Sequence, residues 1–273
     1  MDQKGQYNIS IVLFNSNIES ISHIIGKLTS LQNLNMIYLV DNSPIKDDRF
    51  EKLNVNYDFV NENIGFGAGH NRAIKRSVEN KIPFHFVINY DINFNSSVFD
   101  GLYLYMKENP SVGLVMPKIL NYDGEIQILP KLIPSPIDVL TRALRLDNPL
   151  FEKRLNKYYL RFVQNDIIEV PIISGCFSLF RVDVFDKVGY YDERFFMYFE
   201  DFDISRRINE NYKTVVINTL SIFHKHENGS RKKLSLFVIY LRSCIMYFNK
   251  WGWLIDKKRR SNNERTLKNL NLK

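Results

Sequence analysis

Cysteine is scarce in this chain: Cys176 and Cys244 are the only two among 273 residues. Two thiols build neither a disulfide framework nor a tetrahedral thiolate metal site. Glycine and proline are too few for a collagen-like or low-complexity chain, and neither a heptad pattern nor an internal repeat is present. A clean membrane-spanning run is also missing. The best candidate, 234–255 (LSLFVIYLRSCIMYFNKWGWLI), carries Arg242 at its middle and Lys250 behind it. A central Arg costs about 2.5–3.5 kcal/mol on the insertion scale, so the segment reads as a buried or interfacial helix. The first ten residues, MDQKGQYNIS, are polar and lack a signal-peptide pattern, which leads us to expect a cytoplasmic chain.

What is present suits a soluble enzyme-sized unit. The composition is 45% hydrophobic and 25% charged, enough for one large domain with a self-sufficient core. Charge is unevenly placed. Twelve of the 37 basic residues but only two of the 30 acidic ones (Asp256 and Glu264) fall in 231–273, leaving 1–230 slightly acidic. An end-loaded surplus of this kind suggests docking to an anionic surface. No stacking platform or recognised module accompanies the charge, so nucleic acid is not an expected partner.

The first half alternates strand and helix patterns. Strands are expected at 7–14, 36–40, 57–60 and 84–89, with helices at 18–31 and from about His70 to Asn80. This rhythm predicts an α/β fold with a mainly parallel sheet flanked by helices, which binds ligands beyond the carboxyl ends of its strands. A helix near 97–108 and a strand at 112–116 follow. Periodicity then weakens over 120–170, where a helix at 137–144 and a basic-aromatic stretch suggest a flap. A strand is expected over 170–180, a helix near 204–210, and short strands at 215–217 and 221–224.

Several polar residues close the expected strands. Asp91, after a strand, either binds a hard divalent cation or caps the next turn with Asn93. Glu200, Asp201 and Asp203 open a helix behind an aromatic run. There they either complement the helix dipole or, for the adjacent pair, supply a general base whose pKa is raised by apolar neighbours. His224 and His226 either fill surface or complete a carboxylate–imidazole cation site. The run Gly65-Phe66-Gly67-Ala68-Gly69 departs from the dinucleotide fingerprint in spacing and position. It remains either a tight turn or a close backbone approach to a phosphate or sugar.

In their order and spacing these pieces resemble glycosyltransferase family 2 with the GT-A fold, in its bacterial rhamnosyltransferase-like branch of surface-polysaccharide enzymes. The matching segments are IVLFN at 11–15, LVDNS at 39–43, NENIGFGAGHNRAI at 61–74 and FVINYDI at 86–92. They continue with ISGCFSLFRVDVFDKVGYYDERFFMYFEDFDISRRI at 173–208 and H-x-x-x-x-G-S at 224–230.

The resemblance implies a GT-A catalytic domain over 1–230, with a nucleotide-sugar half to about 118 and an acceptor half beyond it. A helical basic tail over 231–273 would follow. It implies that Asn15 and Asp41 hold the donor's nucleoside, and that Asn63, Gly65, Gly67 and Asn71 approach nucleotide and sugar, with Gly175 in the same set. Asn89-Tyr90-Asp91 overlies the D-x-D motif with Asn in place of the first Asp, leaving Asp91 as the main cation ligand for Mg²⁺ or Mn²⁺. His224 would be the added ligand, with His226 as its alternative. Asp201 would be the catalytic base of an inverting enzyme and Glu200 an orienting acid. The implied partners are a dTDP- or UDP-linked sugar and a glycan or lipid-linked acceptor. An anionic membrane face would meet Trp251, Trp253 and the Lys257–Arg260 cluster of the tail. The implied donor is dTDP-rhamnose, with a UDP-hexose or UDP-galactofuranose as the alternative. A non-catalytic nucleotide-sugar scaffold is the reading from another class.

Overall fold

The computed structural model describes residues 6–144, 149–225 and 234–272. Its first third alternates β1 (Tyr7–Leu13), α1 (Ile18–Leu28), β2 (Leu34–Asp41), β3 (Asn56–Phe59), α2 (Phe66–Glu79) and β4 (Phe84–Ile88). In α1, Ile18, Ile21, Ile24, Ile25 and Leu28 recur at helical spacing and are all buried. Asn17 caps its start, accepting from the N–H groups of Glu19 and Ser20. α2 begins at Phe66, earlier than its glycine content suggests. Close packing explains the early start. A Cβ on Gly69 would lie 2.7 Å from the Val12 side chain of β1, so the helix can sit against the sheet only without one.

The chain continues through β5 (Ile92–Asn93), α3 (Ser97–Glu108), β6 (Val112–Leu120), β7 (Ile126–Ile128), α4 (Pro136–Leu144) and α5 (Pro149–Tyr158). Next come β8 (Ile167–Glu169), β9 (Phe177–Arg181), α6 (Val184–Val188), α7 (Glu200–Ile208) and β10 (Lys213–His224). α8 (Leu234–Trp251) and α9 (Lys257–Asn269) end the described chain. In the strand expected over 170–180 the ladder begins at Phe177, preceded by a single bridge between Ile172 and Lys131, and the two short strands expected after 214 are one continuous β10.

The sheet runs β3-β2-β1-β4-β9-β6-β10-β5, with β7 on β6 and β8 on β10. β3, β2, β1 and β4 are mutually parallel, as the alternating pattern predicts. The second half is mixed, because β9 enters reversed between β4 and β6. Hydrophobic periodicity carries no strand direction, so this reversal was invisible in sequence. The reversal has a functional consequence. The carboxyl ends of β4, β6 and β10 and the amino end of β9 open on one edge of the sheet.

The C-terminal segment is built into the body. Phe195 and Phe199 form a satellite core with Cys244, Tyr247 and Phe248 of α8. Arg206 of α7 and Asp256, both buried, pair at 2.5 Å. Asp203 accepts from Arg207 Nε at 2.9 Å and Trp251 Nε1 at 2.9 Å, and lies 2.7 Å from Lys250 Nζ. The expectation that Trp251 stands at an exposed edge is therefore corrected. Its indole N–H is taken by Asp203, and its ring covers Arg206 at 3.9 Å. Trp253 does remain exposed. Among the described residues no helix is long and apolar enough to cross a membrane.

Candidate active site

Asp201 lies in the first turn of α7, behind two residues with left-handed backbone, Tyr198 (φ 69°) and Phe199 (φ 65°). Such conformations cost about 1–3 kcal/mol each in non-glycine residues and persist only where packing over-determines them. Packing does so here. The Phe199 ring sits 5.2–5.4 Å from the rings of Phe202, Tyr240 and Tyr247. The loop is also fastened to the start of α2. Phe66 N–H donates to the Phe196 carbonyl at 2.9 Å, and a Cβ on Gly65 (φ 91°) would lie 2.3 Å from that oxygen. Asn71 spends its amide on the same loop: Nδ2 donates to Tyr191 O and Glu193 Oε1, and Oδ1 accepts from Tyr191 N–H. A Cβ on Gly67 would meet Tyr191 at 3.0 Å. The structure thus places Gly65, Gly67 and Asn71 against the loop that presents Asp201.

Asp201 Oδ1 accepts from Phe202 N–H at 2.9 Å and Oδ2 from Gly175 N–H at 3.3 Å. Gly175 lies two residues ahead of β9, and a Cβ added there would press on Phe66 at 3.1 Å. Burial pushes the Asp201 carboxyl above the ordinary range, while Lys131 and the two backbone N–H groups pull it back. Glu200 is buried, and its Oε2 has no hydrogen-bond partner among the described residues. Burial, then the Asp201 charge, pushes it well above the carboxylate range. Of the adjacent acids, Glu200 is pushed up the more strongly, and Asp201 is the one whose two oxygens both accept from backbone N–H groups. Asp203 is consumed by the tail contacts above.

The cation candidates meet at the same sheet edge. His224, at the end of β10, places Nε2 3.2 Å from Asp91 Oδ1 and 3.1 Å from Asn89 Nδ2. Its Nδ1 lies 2.6 Å from Gln127 Oε1. Gln127 Nε2 donates to Asn121 Oδ1 and to the His224 carbonyl, which fixes the amide's orientation and so puts the imidazole proton on Nδ1. Nε2 is then the unprotonated nitrogen, accepting from Asn89 Nδ2 beside a carboxylate oxygen, while the outer Gln127 amide orients the ring as it would a ligating histidine. This donor set fits a hard cation that takes its remaining ligands from water and phosphate. Among the described residues no group of three or more His, Cys, Asp or Glu converges on a metal position. His226 lies outside the described residues. Gln127 was missed in the sequence, where a single Gln in a weakly periodic stretch carries no signal.

Asp201, His224, Ser174 and Cys176 line one cavity of about 620 Å³, closed by α4, α5 and α8. Asn89 N–H donates to the Cys176 carbonyl at 2.8 Å, tying the cation side to this wall. Burial pushes the Cys176 thiol up to about 12, so it contributes no nucleophile. Asp41 is buried at the end of β2, where it accepts from Tyr57 OH at 2.7 Å and Ser43 N–H at 2.9 Å. Asn15 (φ 49°) donates its N–H to Ser43 Oγ at 2.8 Å, so one serine joins the two residues expected at the nucleoside. Asn63 is exposed, and its Oδ1 accepts from Gly65 N–H at 3.3 Å.

No family model matches the chain. It is 23% identical over 239 residues to the low-salt glycan biosynthesis hexosyltransferase Agl10 of Haloferax volcanii, covering 86% of this chain and 72% of that protein. It is 26% identical over 197 residues to an N-acetylglucosaminyl-diphospho-decaprenol L-rhamnosyltransferase of Mycobacterium tuberculosis, covering 68% of this chain and 64% of the relative. In fold it resembles GalNAc-T7, solved with UDP, GalNAc and Mn²⁺ (TM-score 0.61, 16% identity, 90% of this chain and 48% of that one). It also resembles a Pyrobaculum calidifontis mannosyltransferase solved with GDP-Man and Mn²⁺ (TM-score 0.56, 12% identity, 91% of this chain and 64% of that one). The chain therefore spans about half to two thirds of these structural neighbours.

Proposed function

Since the chain is a glycosyltransferase of GT-A fold and family 2 type, we propose that it moves a sugar from a nucleoside-diphosphate donor to a hydroxyl of a glycan or lipid-linked acceptor, with inversion. The observation that supports this most directly is one cavity bordered by both Asp201 and His224, with Asp91 3.2 Å from the imidazole. Asp201 takes the proton of the acceptor hydroxyl as it attacks the anomeric carbon. The Lys131 ammonium and the N–H groups of Gly175 and Phe202 favour its ionised form against the burial that raises it. Asp91 and His224 would hold Mg²⁺ or Mn²⁺, which when bound supplies positive charge against the departing diphosphate. Asn15, Asp41, Asn63 and Asn89 complete the donor side.

As donor we assign dTDP-rhamnose, supported by the mycobacterial rhamnosyltransferase relative, in the synthesis of a bacterial surface polysaccharide such as O-antigen or capsule. A UDP-sugar is the second reading, supported by the UDP-bound neighbour. Both the chemistry and the tail favour work at the inner face of a membrane. Leu234, Phe237, Val238, Leu241 and Ile245 form an exposed apolar stripe on α8, continued by Trp253, Leu254 and Ile255. Arg242 and Lys257 stand beside it, the pairing of apolar face and cations that an anionic bilayer attracts.

The deciding experiment is thermal unfolding of the protein against a panel of nucleotide sugars, with and without Mn²⁺. A true donor at a hundred times its Kd adds about 2.7 kcal/mol to native stability. We expect dTDP-rhamnose to raise Tm in Mn²⁺ and to do so far less in EDTA. A donor that binds but is neither transferred nor hydrolysed identifies the scaffold instead, and no shift with any nucleotide sugar sinks the proposal.

A further inference from the structure

Two sides of α2 have different neighbours. His70 and Ser77 bond to residues of β1 and β4. Gly67, Asn71 and Lys75, spaced by four and so stacked along one side of the helix, meet the loop 190–193 instead. Gly67 leaves room for Tyr191, and Lys75 Nζ lies 3.6 Å from Glu193 Oε1 and 5.5 Å from the centre of the Tyr190 ring. Asn71 has no donor left for a ligand. It is 1% exposed, and its two amide hydrogens are spent at 2.9 Å each on Tyr191 O and Glu193 Oε1. Its Oδ1 accepts from Tyr191 N–H at 3.0 Å. The leading N–H of the helix, that of Phe66, is likewise committed to the Phe196 carbonyl and not open to a phosphate. The Phe66 ring lies against Gly175, whose N–H donates to Asp201 Oδ2. The start of α2 therefore reaches Asp201 from two sides, through the loop ahead of it in the chain and through Gly175.

We propose that Asn71, with Gly67 beside it, is a positioning residue for the base: it holds the 190–199 loop so that Asp201 meets the Gly175 N–H, and it does not touch the donor. This role rests on Asp201 being the base, and it departs from the donor-binding role that the resemblance implies for the same two residues. The loop needs such a hold. Tyr198 and Phe199, just ahead of α7, have left-handed backbone, which residues other than glycine keep only where their surroundings enforce it. Asn71 fixes the Tyr191 end of that loop through three hydrogen bonds to residues at least 120 positions away in the chain. A reacting group displaced by about 1 Å loses about a hundredfold in rate, whereas a side chain with no free donor and almost no exposure adds nothing to nucleotide affinity.

Calorimetric titration of the full chain with dTDP and with UDP in Mn²⁺, set beside release of dTDP from dTDP-rhamnose (or of UDP from a UDP-hexose, where that donor is consumed), separates the two roles. In Asn71→Ala and in Gly67→Ala we expect nucleotide affinity within about twofold of wild type and kcat lower by about ten- to a hundredfold. The acid limb of kcat/KM should also move to higher pH, because an Asp201 that loses the Gly175 N–H is less favoured as the anion. A change in fold stability alone leaves that limb in place. Gly67→Ala keeps the test independent of unfolding, since alanine favours the helix while its Cβ presses on Tyr191 at 3.0 Å. Nucleotide affinity weakened about tenfold in either variant overturns the proposal and returns the pair to the donor. So does wild-type kcat in both variants. Wild-type protein that consumes no nucleotide sugar condemns the base together with its positioning residue, a result told apart from the others because the variants then have no turnover to lose.

Discussion

At Asp201 the local chemistry is decided by which of two adjacent acids is better solvated by protein dipoles. Both carboxyls are driven up by burial, but only Asp201 has N–H donors on each oxygen and a nearby ammonium. Asp201→Asn keeps the shape and removes the carboxylate proposed as the base, so kcat should fall by about 10²–10⁴ while nucleotide-induced thermal stabilisation persists. Unchanged turnover would refute the assignment. The acid limb of kcat/KM should lie above the ordinary aspartate range. Lys131→Gln should move that limb to higher pH, because the lost cation no longer favours the carboxylate. The acid pair was legible in sequence as a candidate, since three carboxylates behind an aromatic run are conspicuous. That Glu200 is the more strongly perturbed of the two was not, because it depends on burial and on an oxygen that finds no donor among the described residues.

Among elements, α2 and the β1–β4 pair are joined by a buried polar chain. Asn8 Nδ2 donates to Ser77 Oγ, which meets His85 Nδ1 at 2.7 Å. His85 Nε2 and His70 Nδ1 both reach Ser10 Oγ, at 2.8 and 2.7 Å. Burial pulls His85 down to about 3 and His70 well below its usual value. The unfolded chain binds protons on both below about pH 6.5, so stability is lost as pH falls from there toward 3, by at most about 1.4 kcal/mol per pH unit for each histidine. Urea unfolding at pH 7 and pH 5 should show this loss, and His85→Gln should remove one histidine's share of the slope. An unaltered slope would show that His85 titrates normally. The helix α7 is likewise defined by its neighbours. Asp256→Asn leaves Arg206 buried without its counter-ion and should cost about 3–5 kcal/mol, read as a lower urea midpoint. A change within a few tenths of a kcal/mol would mean the pair is solvated in solution. Removing the tail altogether would take Trp251 and Lys250 from Asp203, Tyr240 and Tyr247 from Phe199 and Asp256 from Arg206, so deletion does not test membrane binding cleanly.

For the molecule as a whole, point changes on the exposed stripe are the better probe. Phe237→Asp with Leu241→Asp should abolish co-sedimentation with anionic liposomes while thermal unfolding stays close to wild type, since neither side chain is in the core. Retained binding by that variant, or equal binding of wild type to neutral liposomes, would discard the bilayer reading. Elements and their order could be read from the chain because hydrophobic periodicity, caps and turn residues act over a few neighbours, as α1, α3 and the first four strands demonstrate. The motif order also pointed to Asp91, Asp201 and His224 before any coordinates. What only the tertiary structure decided is direction and company. The reversed β9 brings Gly175 to Asp201, Gln127 selects the proton of His224, the glycines of α2 admit a neighbouring loop, and Trp251 turns inward to Asp203. Each of these depends on contacts between residues distant in sequence, whose geometry and desolvation exist only once the sheet and its helices have closed around them.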